Sequence, residues 1–373
     1  MKKVRVIIFS LLVIICITSV YLFRNNDASY GIPSIRRLED KTVKNVIFVI
    51  GDGMGENHLK ITSLYYDIPL EINNTETYYI TTHSANKKIT DSAAAGTALA
   101  AGVKTNNKMI GMTSNGKKVQ NLSEYARSIN KSVGIVTTAL ITDATPAAFS
   151  AHTRDRKNTS EIIRGQIAFK PDILLGGYNK KFSMNLFKDT NIKVITDKRD
   201  FTNIGVQESI FGLFDYDDVA NNIVNEKSPS LLEMTKMSIE ALEKNENGFF
   251  LMVEGAQIDK KSHNNDIMSM IEHTKELDDT IKYLKEYVTN NGDTLLIITA
   301  DHETGGLYYG DELAKGDISN LLYTTKSHTG VPVPLFAYGK EKERFYQDMD
   351  NTDIYGIIVQ IFRENTIKSE SSE

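Results

Sequence analysis

The residues that could do chemistry are carboxylates and imidazoles placed at the ends of apolar runs. Asn45-Val-Ile-Phe-Val-Ile50 stops just before Asp52, Gly134-Ile-Val-Thr-Thr-Ala-Leu-Ile141 reaches Asp143, Phe249-Phe-Leu-Met-Val253 reaches Glu254, and Thr294-Leu-Leu-Ile-Ile-Thr-Ala300 reaches Asp301. His302 follows Asp301 directly, Asp259 stands four residues before His263, and His328 precedes the run Pro334-Leu-Phe-Ala-Tyr338. On a helix, positions i and i+4 share a face, so Asp259 and His263 would meet one ligand together. This mixed oxygen and imidazole set suits zinc, with an oxygen-rich part suited to magnesium, and it exceeds what one tetrahedral ion needs. A cluster with a bridging carboxylate is expected, of the kind that activates the entering and leaving oxygens of a phosphoryl transfer. Any one acid could instead cap the helix after it, and His328 alone could be structural. In combination that blander reading is strained.

A nucleophile candidate lies in Thr90-Asp91-Ser92, which opens an alanine-rich helical pattern over 92–103. A helix N-terminus offers free N–H groups and the positive end of a dipole to a phosphate. If Ser92 were only an N-cap it would lack a capping-box partner, because Ala95 stands three residues later. No His-Asp triad pattern surrounds it, so a serine nucleophile here would rely on bound cations for activation.

The apolar runs read as strands of a parallel sheet covered on both faces. Helical patterns over 92–103, 230–244 and 267–288 alternate with them, which predicts an open α/β sheet with right-handed crossovers. Ligands of such sheets gather outside the carboxyl ends of the strands, where these acids fall. Residues 178–230 carry no readable motif. Their Gly, Asn and Asp content predicts loops with a short strand at 211–214, forming a partial cap over the cleft.

The 373 residues allow one large domain or two ordinary ones, and 41% hydrophobic with 24% charged residues excludes fibrous and wholly disordered classes. Lys and Arg number 43 against 48 Asp and Glu, and leaving out Lys2, Lys3, Arg5 and Arg24 makes the body 39 against 48, or −9. No nucleic-acid-binding surface is expected from that balance. The one cysteine, Cys16, excludes an internal disulfide and a cysteine zinc finger. It lies within residues 6–23, an uncharged run behind a basic start, which reads as a signal peptide or membrane anchor within 1–24. The length of the run and the lack of a clear A-x-A site favour the uncleaved anchor, with the rest of the chain extracytoplasmic, membrane-anchored or secreted. A linker over 25–43, a catalytic domain over 44–365 and a polar tail over 366–373 complete the expected organisation.

Taken in order, Gly51-Asp-Gly-Met-Gly55, Thr90-Asp-Ser-Ala-Ala94, Asp143-Ala-Thr-Pro-Ala147, Val253-Glu-Gly-Ala-Gln-Ile-Asp259, Thr299-Ala-Asp-His302 and His328-Thr-Gly330 make the chain resemble the alkaline phosphatase family over residues 45–339. Each motif is short, and it is their order and combination that is specific. The resemblance implies a three-layer αβα sandwich around a large, mostly parallel sheet. It further implies a phosphomonoesterase with two zinc ions and one magnesium ion, working through a phosphoserine at Ser92. By position, Asp259, His263 and His328 would hold one zinc, and Asp52, Asp301 and His302 the other. Asp52 would bridge to a magnesium also held by Thr145 and Glu254. Ala151-His-Thr-Arg-Asp-Arg156 resembles the family stretch that ends in the phosphate-binding arginine, which makes Arg156 the clamp and Arg154 the reserve. Asp143 and Lys260 match positions that tune the magnesium and phosphate sites; their plainer readings are a helix cap and a surface lysine. Only 25 residues separate His302 from His328, so the crown subdomain of larger relatives is expected to be reduced, which leaves a homodimer and substrate restriction in doubt.

Small phosphate monoesters are therefore the expected substrates. A phosphodiesterase, sulfatase or phosphosugar mutase could share the strand-end acids, but Ala94 stands where a sulfatase signature needs proline, and no second sugar-phosphate pocket is evident. A catalytically silent surface protein that binds metal or phosphate is the alternative outside enzymes.

Overall fold

The computed structural model describes residues 42–74, 76–201, 208–221, 228–309 and 320–370. The expected signal or anchor (1–24), most of the linker, residues 310–319 of the reduced-crown stretch and the last three residues lie outside them. Among the described residues no helix is long and apolar enough to cross a membrane.

The apolar runs form strands as their composition dictates. In chain order β1 (Asn45–Gly51), β2 (Tyr78–Thr81), β3 (Ser132–Leu140), β4 (Ile173–Tyr178), β5 (Ile192–Ile195), β6 (Ser209–Asp215), β7 (Phe249–Gly255) and β8 (Thr294–Thr299) join Val333–Gly339 and Met349–Asp350 in one ten-stranded sheet. Across the sheet the order is Met349–Asp350, β2, Val333–Gly339, β8, β1, β7, β3, β4, β6, β5. From β8 to β5 every pairing is parallel, and only Val333–Gly339 runs against its neighbours. Every residue of β1, β7 and β8 is buried, so both faces of the sheet centre are covered. The α/β architecture with a large, mostly parallel sheet is thus as expected.

The helices that flank the site owe their placement to local signals. Ile267–Asn291 begins at Asp266, whose carboxylate accepts from the Ser269 N–H, and ends at Gly292 in the left-handed region. Its buried stripe of Met270, Ile271, Leu277, Ile281, Leu284 and Val288 follows the helical repeat and packs towards the sheet. Phe149, just after the short helix Ala144–Ala148, lies between Phe48 of β1 and Phe250 of β7 with ring centroids 6.0 Å from each. That aromatic wedge holds Thr145 over the strand ends.

Two sequence expectations change. Among the described residues of 178–230, the short strand expected at 211–214 lies within β6, but in place of a partial cap β5 and β6 extend the main sheet beyond β4, in parallel register. Surrounding Asn and Asp hid β5, and the one glycine of β6 is needed for packing, since a Cβ at Gly212 would lie 2.6 Å from Leu175. The last helix, Asp353–Glu370, also runs on into the stretch read as a polar tail.

Candidate active site

The sheet order places β8, β1, β7 and β3 side by side, so Asp301, Asp52, Glu254 and Asp143 emerge from four consecutive strands at one edge. Glu254 lies level with Ile50 of β1 and Thr137 of β3, and the Thr137 hydroxyl donates to its carboxylate. The Asp52 N–H donates to the Gly255 carbonyl at 3.2 Å, and the Gly53 N–H to Asp301 Oδ1 at 3.1 Å. Gly53 has φ +74° and a Cβ there would sit 2.8 Å from the Asp259 Cα. Only glycine permits that turn and that approach together.

Helix Gln257–His263 presents Asp259 and His263 on one face, with Asp259 Oδ1 3.3 Å from His263 Nε2. His328 Nε2 stands 3.6 Å from the same oxygen and 3.1 Å from His263 Nε2. The far ring nitrogens settle the tautomers. His263 Nδ1 faces the Lys326 carbonyl at 2.6 Å and His328 Nδ1 the Thr90 carbonyl at 3.0 Å, and a carbonyl can only accept. The Thr304 hydroxyl donates to Asp259 Oδ1 at 2.5 Å, so at 3.3 Å it accepts from His302 Nδ1. With their Nδ1 atoms protonated, all three neutral rings turn Nε2 lone pairs into the cleft, and fixing the far nitrogen in this way is how metal-binding histidines are oriented. His302 Nε2 lies 3.3 Å from Asp301 Oδ2, 3.6 Å from Asp52 Oδ1 and 3.2 Å from Ser92 Oγ.

Among the described residues, Asp52 Oδ1, Asp301 Oδ2 and Thr145 Oγ1 are buried without a hydrogen-bond partner. Buried carboxylate oxygens and imidazole lone pairs that face one another are the ligand atoms a divalent cation takes. Two groups, Asp52-Asp301-His302 and Asp259-His302-His328, have ligand atoms within 4.8 Å of one another. His263 adjoins the second group, and the rings of His302 and His328 stack at 3.6 Å. Burial and then repulsion from neighbouring carboxylates raise Asp52, while burial above all lifts Asp301 to about 8 and Glu254 to about 7. Burial likewise drives His302 well below the ordinary histidine value.

Ser92 is not the cap of its helix. Asp91 occupies that position and accepts from the Ala94 N–H at 3.0 Å, so the Ser92 hydroxyl, at the first turn of Ser92–Ala101, is not committed to capping. His302 stands beside Ser92, yet the absence of a triad expected from sequence holds. It is not arranged as a triad, because serine and both acids converge on one ring nitrogen instead of occupying the two.

On the opposite side, Arg156 donates to Asp143 Oδ1 at 3.0 Å and lies 3.5 Å from Asp91, while Lys260 meets Asp143 Oδ2 at 2.8 Å. Burial would raise the Asp143 carboxyl, but Lys260 and Arg156 override it and hold the group well below the carboxylate range. Lys260 is therefore no surface lysine, and Asp143 both caps Ala144–Ala148 and orients two cations. Arg154 is exposed against the Gly116 turn, away from this group. Asp91, Thr137 and Thr304 were missed from sequence; their signals were adjacency to Ser92, facing Glu254 across parallel strands, and a position two residues beyond His302.

Comparison with known proteins agrees with this geometry. The family profile described as alkaline phosphatase matches residues 43–182 and 176–318. Alkaline phosphatase 4 of Bacillus subtilis (strain 168) is 33% identical over 88% of this chain and 91% of its own length. The Escherichia coli K12 alkaline phosphatase is 28% identical over 85% and 86%. The crystal structure of a cold-active alkaline phosphatase from a Shewanella species superposes with a TM-score of 0.79, at 27% identity, covering 85% of this chain and 99% of that one. A variant of the TAB5 alkaline phosphatase, solved with magnesium bound, gives a TM-score of 0.75 at 29% identity, covering 87% and 99%.

Two outcomes follow from the site. Gly53→Ala forces a side chain into the left-handed region, at about 1–3 kcal/mol, and against the Asp259 backbone. Zinc affinity, read by chelator competition, should fall by at least about tenfold. In the metal-free protein, raised Asp301 and Glu254 keep protons that the unfolded chain releases near an ordinary carboxyl pKa of about 4, so folded stability falls as pH rises towards about 8. Thermal melting with chelator should therefore be lower at about pH 8 than at about pH 6, and zinc with magnesium should remove most of that difference; a chelated protein that melts equally at both would contradict it.

Proposed function

Because the chain belongs to the alkaline phosphatase family, and is with it a metal-dependent phosphoric monoester hydrolase, we propose that it cleaves phosphate monoesters through a phosphoserine at Ser92. One observation carries this reading: Ser92 Oγ meets His302 Nε2 at 3.2 Å where partnerless oxygens of Asp52 and Asp301 also converge. Asp259, His263 and His328 would hold one zinc, Asp52, Asp301 and His302 a second, and Asp52, Thr145 and Glu254 a magnesium. When bound, the three cations supply positive charge that favours a deprotonated Ser92, the departing ester oxygen and the entering water.

The chain's own residues supply the rest. Ser92 Oγ attacks phosphorus, the bond from phosphorus to the ester oxygen breaks, and the alcohol leaves with a proton. Water then attacks the phosphoserine, the bond from phosphorus to Ser92 Oγ breaks, and a proton of that water restores the serine hydroxyl as inorganic phosphate leaves. The free N–H groups at the start of Ser92–Ala101 face the phosphoryl oxygens. Arg156, half-buried and still carrying unused donors, grips two of those oxygens. Asp143 and Lys260 hold that guanidinium and the phosphate pocket in place. The leaving group makes no demand on this machinery, so the substrate range is broad. The run over residues 6–23 keeps the catalytic domain, residues 44–365, on the outer side of the cytoplasmic membrane.

Ser92→Ala should lower phosphate release from a monoester such as p-nitrophenyl phosphate by at least about 10³-fold while bound metal stays at the wild-type level. Near-wild-type turnover in that variant would sink the assignment. Charge-assisted hydrogen bonds are worth roughly 1.5–3 kcal/mol, so Arg156→Ala should cost on the order of 10–150-fold in kcat/KM. Phosphate inhibition should weaken in parallel. Arg154→Ala should change neither, and the reverse pattern would move the clamp to Arg154.

A further inference from the structure

His58 is a fully buried histidine that the reaction does not use. It lies in the first turn of helix Glu56–Tyr66, directly after the Gly51–Gly55 turn that carries Asp52. Its Nδ1 accepts from the Gly55 N–H at 3.2 Å, an obligate donor, and its Nε2 lies 3.1 Å from Ser262 Oγ. Ser262 sits on helix Gln257–His263, three residues after Asp259 and one before His263, and its hydroxyl donates to the Ile258 carbonyl at 2.7 Å. With that proton committed, Ser262 Oγ can only accept from His58 Nε2–H. It also accepts from the Tyr323 hydroxyl at 3.3 Å. Burial lowers the His58 pKa to about 4 against the Thr304 and Gly55 backbone contacts, so the ring is neutral and can accept at Nδ1 while it donates at Nε2.

We propose that His58 is a positioning residue for the metal centre, joining the turn that carries Asp52 to the helix that carries Asp259 and His263 through Ser262. These two segments are remote in sequence, and they supply ligands to neighbouring ions in the metal-centre reading on which this inference rests. The Gly53 backbone already abuts Asp259. The His58–Ser262 bond is a second tie between the same turn and that helix, and together the two ties restrict how the turn sits against it. The neutral imidazole brings no charge of its own to the cluster, so it can orient ligands without competing for the cation.

The test separates this role from helix capping. Asparagine places its oxygen near Nδ1 and can keep the bond to Gly55 but cannot reach Ser262; glutamine places its amide nitrogen near Nε2 and can reach it. Zinc affinity of the chelated and reloaded full-length chain, measured by competition with a chromophoric chelator, should fall about 10–100-fold in His58→Asn. It should stay within about threefold of wild type in His58→Gln. Ser262→Ala should match His58→Asn, and the double variant should lose no more than either alone. The melting temperature of the chelated protein should be similar in all of them. Wild-type zinc affinity in His58→Asn, equal losses in His58→Asn and His58→Gln, or additive losses in the double variant would each overturn the proposal, as would a fall in chelated melting temperature that tracks the loss of affinity. A wild-type chain that binds no zinc at all would overturn the metal-centre reading itself, and this inference with it.

Discussion

The structure is organised around negative charge that the fold crowds together without neutralising. Asp52, Glu254, Asp259 and Asp301 occupy one buried cleft, and three imidazoles add lone pairs to it, not protons. Two like charges about 4 Å apart repel by roughly 4 kcal/mol at an effective dielectric near 20. The nearest permanent cations, Arg156 and Lys260, are paired with Asp143 beside the cleft. The cluster therefore holds either protons or metal ions, and its raised carboxyl pKa values are the protonated alternative to a bound cation.

A repulsive site keeps its shape only if the scaffold resists relaxation. Here the ligands project from the ends of strands buried on both faces, and the backbone closes on itself between them: Asp52 N–H to Gly255, Gly53 N–H to Asp301, Thr304 N–H to the Gly53 carbonyl. Thr137 and Thr304 bind carboxylates that would otherwise turn away. A carboxylate held by a threonine hydroxyl and a strand end loses little entropy when an ion arrives, the condition under which ligand preorganisation favours binding.

The phosphate side is built on the opposite logic, with positive charge held in place by acids. Asp91 caps the helix that starts at Ser92, accepts the Lys108 N–H and lies beside Arg156. Asp143 caps a second helix and holds Arg156 and Lys260. The two capping acids thus hold one guanidinium between two helix starts, and Gly96 facing Ala148 lets the two helices approach closely enough for this. Positive charge gathers on this side, and buried carboxylates and imidazoles gather on the other.

Much of this was written locally. Continuous apolar runs identify β1, β3, β7 and β8 because a strand buried on both faces has no polar positions, and an acid just past such a run marks the ligand edge of an open α/β sheet. The i, i+4 pair Asp259 and His263 was readable for the same reason, since a helical repeat is set within one turn. Other features needed the assembled chain. That β8, β1, β7 and β3 are neighbours depends on long-range pairing, which no local pattern encodes. β5 was hidden in an asparagine- and aspartate-rich stretch, and the place of β6 in the main sheet was not readable, because Gly212 answers to Leu175 of a neighbouring strand and not to its own sequence neighbours. Which of Asp91 and Ser92 caps the helix, which of Arg154 and Arg156 faces the site, and how His58 reaches Ser262 were likewise decided in three dimensions. The sequence by itself determined which residues could ligate and at which strand ends they stand; the tertiary structure alone decided their convergence, because hydrogen-bond partners and steric fit belong to pairs of residues that the chain keeps far apart.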